Sequence, residues 1–218
     1  MQAGSSSRGR EFAARWAEVA FTVQQKAELM QEFYADMESR VAAAGRDPIH
    51  CAIPPAIDVV VGATEAQARA EADYIDGLAS VELGLQTLTD MTGVDMFALP
   101  REMPLAEVPV DAERTVSVGL YQNALKVGKN GHGLTLGEAA HLYASTWMAP
   151  RIVGTPTQIA DHMQGIFEAN ACDGFVLGTS TTPMGLRNFV ELVVPELQAR
   201  GLFRTVYTGT NFRENLKS

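Results

Sequence analysis

The feature that most constrains this chain is an alternation in which short apolar, β-branched runs are separated by longer stretches of helical periodicity. Ser5 to Arg15 opens with small polar residues and continues as a capped helix, and Glu18 to Val23 reads as a buried strand. Leu29, Phe33, Met37 and Val41 then recur every fourth residue, which predicts a helix from about Gln25 to Ala44 ended by Gly45. Pro54 and Pro55 interrupt the next apolar stretch, so its regular strand is placed at Ile57 to Val61, followed by a helix from Glu65 to about Leu78. Farther on, Val153-Gly154-Thr155-Pro156 caps a helix from Thr157 to about Asn170, Gly174 to Leu177 is a short strand, and Leu186 to Arg200 is the final helix. Strands this apolar are covered on both faces. The alternation therefore predicts an α/β fold with a parallel sheet beneath helices.

Between about residues 80 and 150 the rhythm stops, because Pro100, Pro104, Pro109 and the turn-rich Gly128 to Gly133 punctuate short helical pieces. This region reads as an insertion, and the tail from Gly201 as irregular. Three or four βα units remain in 218 residues. A complete (β/α)8 barrel takes eight strands and about 250 residues, so the chain could supply about half of one. A doubly wound sheet needs fewer strands, but no G-x-G-x-x-G follows a strand here. Pattern alone leaves both architectures open.

Several function classes are disfavoured. With 17 basic and 26 acidic residues the formal charge is -9, which repels a nucleic-acid backbone. No apolar run is long enough for a membrane helix and no leader pattern opens the chain, so a cytoplasmic protein is expected. Cys51 and Cys172 fit neither a disulfide framework nor metal spacing and read as small buried residues. His50, His132, His141 and His162 show no metal-ligand pattern, and Gly128 to Gly133 lacks a P-loop ending. Glu65 and Glu71 belong to a solvated helix face, and no catalytic residue is assigned.

Three stretches carry a resemblance. Gln2-Ala3-Gly4-Ser5-Ser6-Ser7-Arg8-Gly9 through Ala13-Ala14, then Val153-Gly154-Thr155-Pro156 with Ile159-Ala160-Asp161, then Asp173-Gly174-Phe175, Val193 to Leu197, Arg200 to Arg204 and Tyr207 to Thr210 resemble, in order and spacing, one family. It is that of the flavin-dependent monooxygenases related to nitrilotriacetate monooxygenase component A, within the bacterial-luciferase-like group. The resemblance implies a single luciferase-like domain over residues 1–218, present as its C-terminal portion. That is a partial (β/α)8 TIM barrel with a helical and loop insertion, because the Q-A-G segment closes the fifth strand in those enzymes. It further implies reduced FMN supplied by a separate NAD(P)H:flavin reductase, dioxygen as co-substrate and a small organic molecule as substrate. An N-terminal half-barrel, or a homo-oligomer, would complete the fold. Two other readings stand beside this one: a non-catalytic half-barrel remnant or partner-dependent binding module, and an F420-dependent oxidoreductase of the same barrel group.

By the same resemblance Gly4, Ser5 and Ser6 are the candidate cofactor-binding residues. The Ser6 hydroxyl would contact the flavin phosphate at a helix N-terminus, Gly4 and Ser5 would let the backbone approach, and Arg8 or Arg10 would add charge. The competing role for Ser5 or Ser6 is a plain helix cap. Thr155 reads as such a cap. Oxygen transfer from a flavin needs a dry pocket, for which Phe97, Trp147, Met148 and Met184 are candidates, although apolar residues of this kind are more often ordinary core.

Overall fold

A computed structural model of the chain describes residues 1–111, 118–129 and 132–216. Its elements run α1 (Ser7–Trp16), α2 (Ala27–Ala43), β1 (Ala56–Val61), α3 (Glu65–Gly77), α4 (Val81–Thr92), α5 (Val118–Lys126) and a small hairpin of β2 (Gly128–Lys129) with β3 (His132–Gly133). They continue α6 (Leu136–Thr146), β4 (Arg151–Gly154), α7 (Pro156–Glu168), β5 (Val176–Gly178), α8 (Met184–Asn188), α9 (Val194–Ala199) and α10 (Phe212–Leu216).

All six residues of β1 are buried, and the strand lies at the centre of a parallel sheet between β4 and β5. Val59 stands beside Ile152 of β4, and Ile57 beside Leu177 of β5. Parallel bridges extend the sheet past the regular strands, pairing Val19 with Ala52, Thr22 with Pro55 and Gln2 with Ala20. Glu18 to Val23 thus holds a strand's place through single bridges, without a continuous ladder. Pro54 explains this, since it faces that segment and has no N–H to donate across to it.

Because side chains alternate along a strand, Ile57, Val59 and Val61 share one face. There they pack with Ile152, Ile159, Ala160, Met163 and Ile166, and with Phe189, Val193 and Leu197 of the last helices. Ala13 and Ala14 of α1 and Phe33, Met37 and Val41 of α2 form an adjoining core over Ala20 and Ile53. Residues of the 80–150 region have a core of their own, in which Leu85 and Leu88 of α4, Tyr121 and Ala124 of α5 and Leu136, Ala140 and Tyr143 of α6 come together. Gly84 is the contact point between α4 and α6, since a Cβ there would stand 1.8 Å from the Ala140 carbonyl oxygen.

Four details differ from the sequence expectations. Arg151–Gly154 is a strand, β4, and not merely the lead-in to α7. The strand expected at Gly174 to Leu177 begins two residues later, at Val176. The final helix contains a wider π segment at Phe189–Val193 between α8 and α9. Pro195 supplies the reason, for a proline inside a helix lacks its N–H and crowds the carbonyl four residues back, and a widened turn relieves both. The tail is not wholly irregular, since Phe212–Leu216 is helical and Arg213 pairs with Glu18. Of the Gly128 to Gly133 turn, Asn130, Gly131 and the His132 side chain lie outside the described residues.

Candidate functional site

Parallel sheets bind ligands beyond the carboxyl ends of their strands, and the Gly4–Ser7 loop leaves the sheet there, directly after the Gln2 bridge. Ser6 is the N-cap of α1, with extended backbone (φ -67°, ψ 159°), and its Oγ accepts from the Gly9 N–H at 3.2 Å. The cap role anticipated for this loop thus falls to Ser6. It uses a lone pair of the hydroxyl and leaves the O–H free to donate. The first-turn N–H groups of Ser7 and Arg8 have no intrahelical acceptor, as at any helix start.

Two glycines let the loop fold this tightly. A Cβ on Gly4 would lie 3.0 Å from Gly9 Cα, and one on Gly9 would lie 2.8 Å from the Gly4 carbonyl oxygen. A third, Gly119 in the first turn of α5, carries the 80–150 region onto the loop, for a Cβ there would meet Ser5 Cβ and Ser6 N at 3.0 Å. Gly4, Ser5 and Ser6 are therefore together at one rim, roofed by α5. Arg10 turns away from that rim. Its Nε donates to the Ser5 carbonyl at 2.9 Å, its Nη1 pairs with Asp36 at 2.7 Å, and its guanidinium lies 5.3 Å from the centre of the Phe33 ring. It braces the loop against α2. Burial works against ionisation of Asp36, yet hydrogen bonds from Arg40 and Arg10 hold its carboxyl below the usual carboxylate value. Arg8 is exposed.

A second cluster lies on the opposite face of β1 from the apolar core. Asp58 accepts from Arg151 Nε at 2.5 Å, and the two side chains are only 5% and 10% exposed. Ser180, just past β5, places its Oγ 2.8 and 2.9 Å from the two Asp58 oxygens. The remaining nitrogens of Arg151 reach Asp76 near the end of α3, the Ser145 carbonyl near the end of α6 at 3.1 Å, and Ser180 Oγ at 2.9 Å. The guanidinium thereby bonds through all three of its nitrogens and acts as a structural hub. Its sequence signal was an acidic residue inside an otherwise apolar strand, which demands a buried partner. Gly119 gave no comparable signal.

The remaining sequence candidates are scattered. Met148 is buried in the core of the 80–150 region, whereas Phe97, Trp147 and Met184 are all more than half exposed. Trp147 and Met148 are both left-handed (φ 53° and 65°), in a turn held by Gln25 Nε2 on the Met148 carbonyl at 2.5 Å. Asn123 of α5 likewise donates to the Val23 carbonyl at 2.8 Å. Thr155 caps α7 in a reciprocal pair with Gln158, as its sequence indicated. Glu65 lies on an exposed face, bonded to Arg69 and Gln158. Cys51 and Cys172 are buried; burial raises both thiols, Cys172 to about 12. His50 and His162 are exposed and His141 half-buried. Among the described residues no cluster of three or more His, Cys, Asp or Glu could hold a metal ion, and no helix is long and apolar enough to cross a membrane. Two open recesses, about 440 Å³ at Lys26 and His162 and about 270 Å³ at Phe203 and Tyr207, both lie away from the serine loop.

Comparison with known proteins gives the family. The dibenzothiophene-sulfone monooxygenase of Rhodococcus erythropolis is 38% identical over 218 residues, covering 99% of this chain and 48% of that protein. Nitrilotriacetate monooxygenase component A of Aminobacter aminovorans is 35% identical over 222 residues, covering 99% and 47%. The crystal structure of DmoA from Hyphomicrobium sulfonivorans superposes with a TM-score of 0.80 at 26% identity, over 98% of this chain and 44% of that one. The chain spans about half the length of the curated relatives it matches. Residues 1–172 match the model of the luciferase-like monooxygenases, and the chain belongs to that family.

Proposed function

We propose that this chain is the C-terminal portion, a partial (β/α)8 barrel, of an FMN-dependent monooxygenase component. It would take reduced flavin from an NAD(P)H:flavin reductase and oxidise a small organic substrate. The observation that carries the proposal is the Gly4–Ser7 loop, a tight turn at a strand's carboxyl end that opens a helix and offers hydroxyls and backbone N–H groups with no side chain from Gly4 or Gly9 in the way.

A phosphate monoester fits this donor set. Ser6 Oγ, which accepts from the Gly9 N–H, would donate its hydrogen to a phosphate oxygen, with the Ser7 and Arg8 amides donating alongside and the positive end of the α1 dipole adding to the attraction. The two roles considered for Ser6 are thus compatible. Arg10 fixes the loop from behind, and α5 covers it through Gly119. When bound, the reduced flavin supplies the oxygen-activating chemistry, so the protein's task is to orient it and keep water from the site. Names of relatives support a monooxygenase, including those acting on dibenzothiophene sulfone and nitrilotriacetate.

Ser6→Asp tests the reading. Aspartate caps a helix as well as serine does, so the fold is retained while a negative charge faces the phosphate. Titrated by fluorescence quenching, the wild-type chain should hold FMN at least tenfold more tightly than riboflavin, and S6D should lose that preference with riboflavin binding unchanged. Equal affinity of the wild-type chain for FMN and riboflavin would overturn the proposal.

A further inference from the structure

Arg10 takes the carbonyl side of the serine loop. Its backbone N–H donates to the Ser6 carbonyl at 2.9 Å, closing the first turn of α1, and its Nε reaches back to the Ser5 carbonyl at 2.9 Å. Two successive carbonyls are thus drawn to one residue. A trans peptide is planar and its N–H points opposite to its C=O, so the bond to Ser5 fixes the direction of the Ser6 N–H, on the side away from Arg10. That N–H meets no acceptor among the described residues. A released Ser5–Ser6 peptide can rotate and put a carbonyl oxygen where the N–H now stands, which turns a donor toward an anion into a repelling dipole.

The grip on Ser5 is built in α2. Phe33 and Asp36, three residues apart, share a face of that helix and meet the guanidinium together, its carbon 5.3 Å from the centre of the Phe33 ring and its Nη1 2.7 Å from an Asp36 oxygen. Phe33 is fixed in the core between α1 and α2. The Arg10 and Asp36 side chains are 25% and 32% exposed, so the pair is screened less than one on open surface. Arg40, one turn farther along α2, places its Nε 2.9 and 3.0 Å from the two Asp36 oxygens and does not touch the loop. A planar guanidinium suits the post, since it bonds Ser5 through Nε and Asp36 through Nη1 at once, which a lysine cannot do.

We infer that Arg10 and Asp36 are positioning residues for the flavin, through which α2 holds the Ser5–Ser6 peptide with its N–H outward and so sets the loop's preference for a phosphorylated flavin. The inference rests on the flavin reading above. Arg10 acts on the geometry of the loop and not by attracting the phosphate, because its charge is already engaged by Asp36.

These two modes of action predict opposite signs for one substitution. Asp36→Ala removes a negative charge and keeps Arg10; attraction by charge would then strengthen FMN binding, whereas lost positioning weakens it. In fluorescence-quenching titrations of the full chain with FMN and riboflavin, Asp36→Ala and Arg10→Ala should each lower FMN affinity about tenfold, the worth of one charge-assisted hydrogen bond. Riboflavin affinity should stay unchanged, and Arg10→Lys should not restore FMN binding. Arg40→Ala, which takes a similar ion pair from Asp36 and leaves Arg10 on Ser5, should keep the wild-type preference. Without flavin, hydrogen exchange read by mass spectrometry should quicken over residues 4–9 in Arg10→Ala and Asp36→Ala and not in Arg40→Ala; circular dichroism confirms that each variant is folded. Tighter FMN binding by Asp36→Ala, a wild-type preference kept in both alanine variants, full affinity in Arg10→Lys, or loop exchange that neither alanine changes would overturn the inference alone. A wild-type chain that holds FMN and riboflavin equally would overturn the flavin reading and this inference with it.

Discussion

Replacing Gly84 by alanine should destabilise the chain, although the same change in an open helix stabilises it. Gly84 lies inside α4, where an alanine gains up to about 1 kcal/mol over glycine through backbone entropy and helix propensity. Its Cβ would, however, lie 1.8 Å from the Ala140 carbonyl oxygen and 2.4 Å from the carbonyl carbon, which are backbone atoms of α6. A carbon and a carbonyl oxygen settle at about 3.3 Å, so the helices must part by roughly 1.5 Å. A gap of even 0.5–1 Å forfeits about a quarter to a half of the dispersion energy of the contacts it opens, and overpacking of this kind costs about 1–3 kcal/mol. The strain outweighs the propensity gain. Net of that gain, about 1 kcal/mol at the middle of the range is roughly 2–4 °C in Tm for a chain of this size. Gly165 of α7 is the matched control, with nothing within 4 Å of its Cβ position, so Gly165→Ala should raise Tm. Thermal unfolding followed by circular dichroism at one concentration reads both. An unchanged or higher Tm for G84A, or a comparable loss for G165A, would refute the reasoning.

Arg46 donates to the carbonyls of Ala14 (2.8 Å) and Ala17 (2.7 Å) at the end of α1, so Arg46→Ala should cost about 1.5–3 kcal/mol; a Tm within a degree of wild type would contradict this. Asp36 has its pKa lowered by Arg40 and Arg10, so its contribution is present above the ordinary value of 3.8 and is lost as pH falls through the lower folded value. The Tm difference between wild type and Asp36→Asn should accordingly shrink in acid, and a gap constant from pH 7 to pH 3 would exclude it. Cys51 and Cys172 should both resist iodoacetamide at pH 8 until the chain is unfolded, because burial keeps their thiols protonated; labelling of the native chain, read by mass spectrometry, would show otherwise.

The strand and helix alternation was legible because β1 is apolar but for Asp58 and α2 repeats its core residues every fourth position, patterns that burial imposes directly. β4 escaped because only Ile152 and Val153 mark it, and what makes it a strand is the neighbouring β1. The π segment followed from Pro195, visible beforehand but ambiguous, since a proline can equally end a helix. At the site, the small polar residues before α1 announced the Ser6 cap. The approach of Gly119 to Ser5 and Ser6 was unreadable, because it depends on how α5 is laid across the sheet. Arg10 looked like a rim charge until α2 supplied Asp36 and Phe33 behind it.

The reach of Arg151 has a mechanical consequence. Asp76 is close to where the chain leaves α3 for the 80–150 region, and Ser145 is close to where it returns, so one guanidinium gathers both legs of that region and staples them to Asp58 in the central strand. Loosening that one side chain would release both legs' side-chain ties to β1 together, leaving Asn123 on the Val23 carbonyl and Gln25 on the Met148 carbonyl to hold the region over the serine loop.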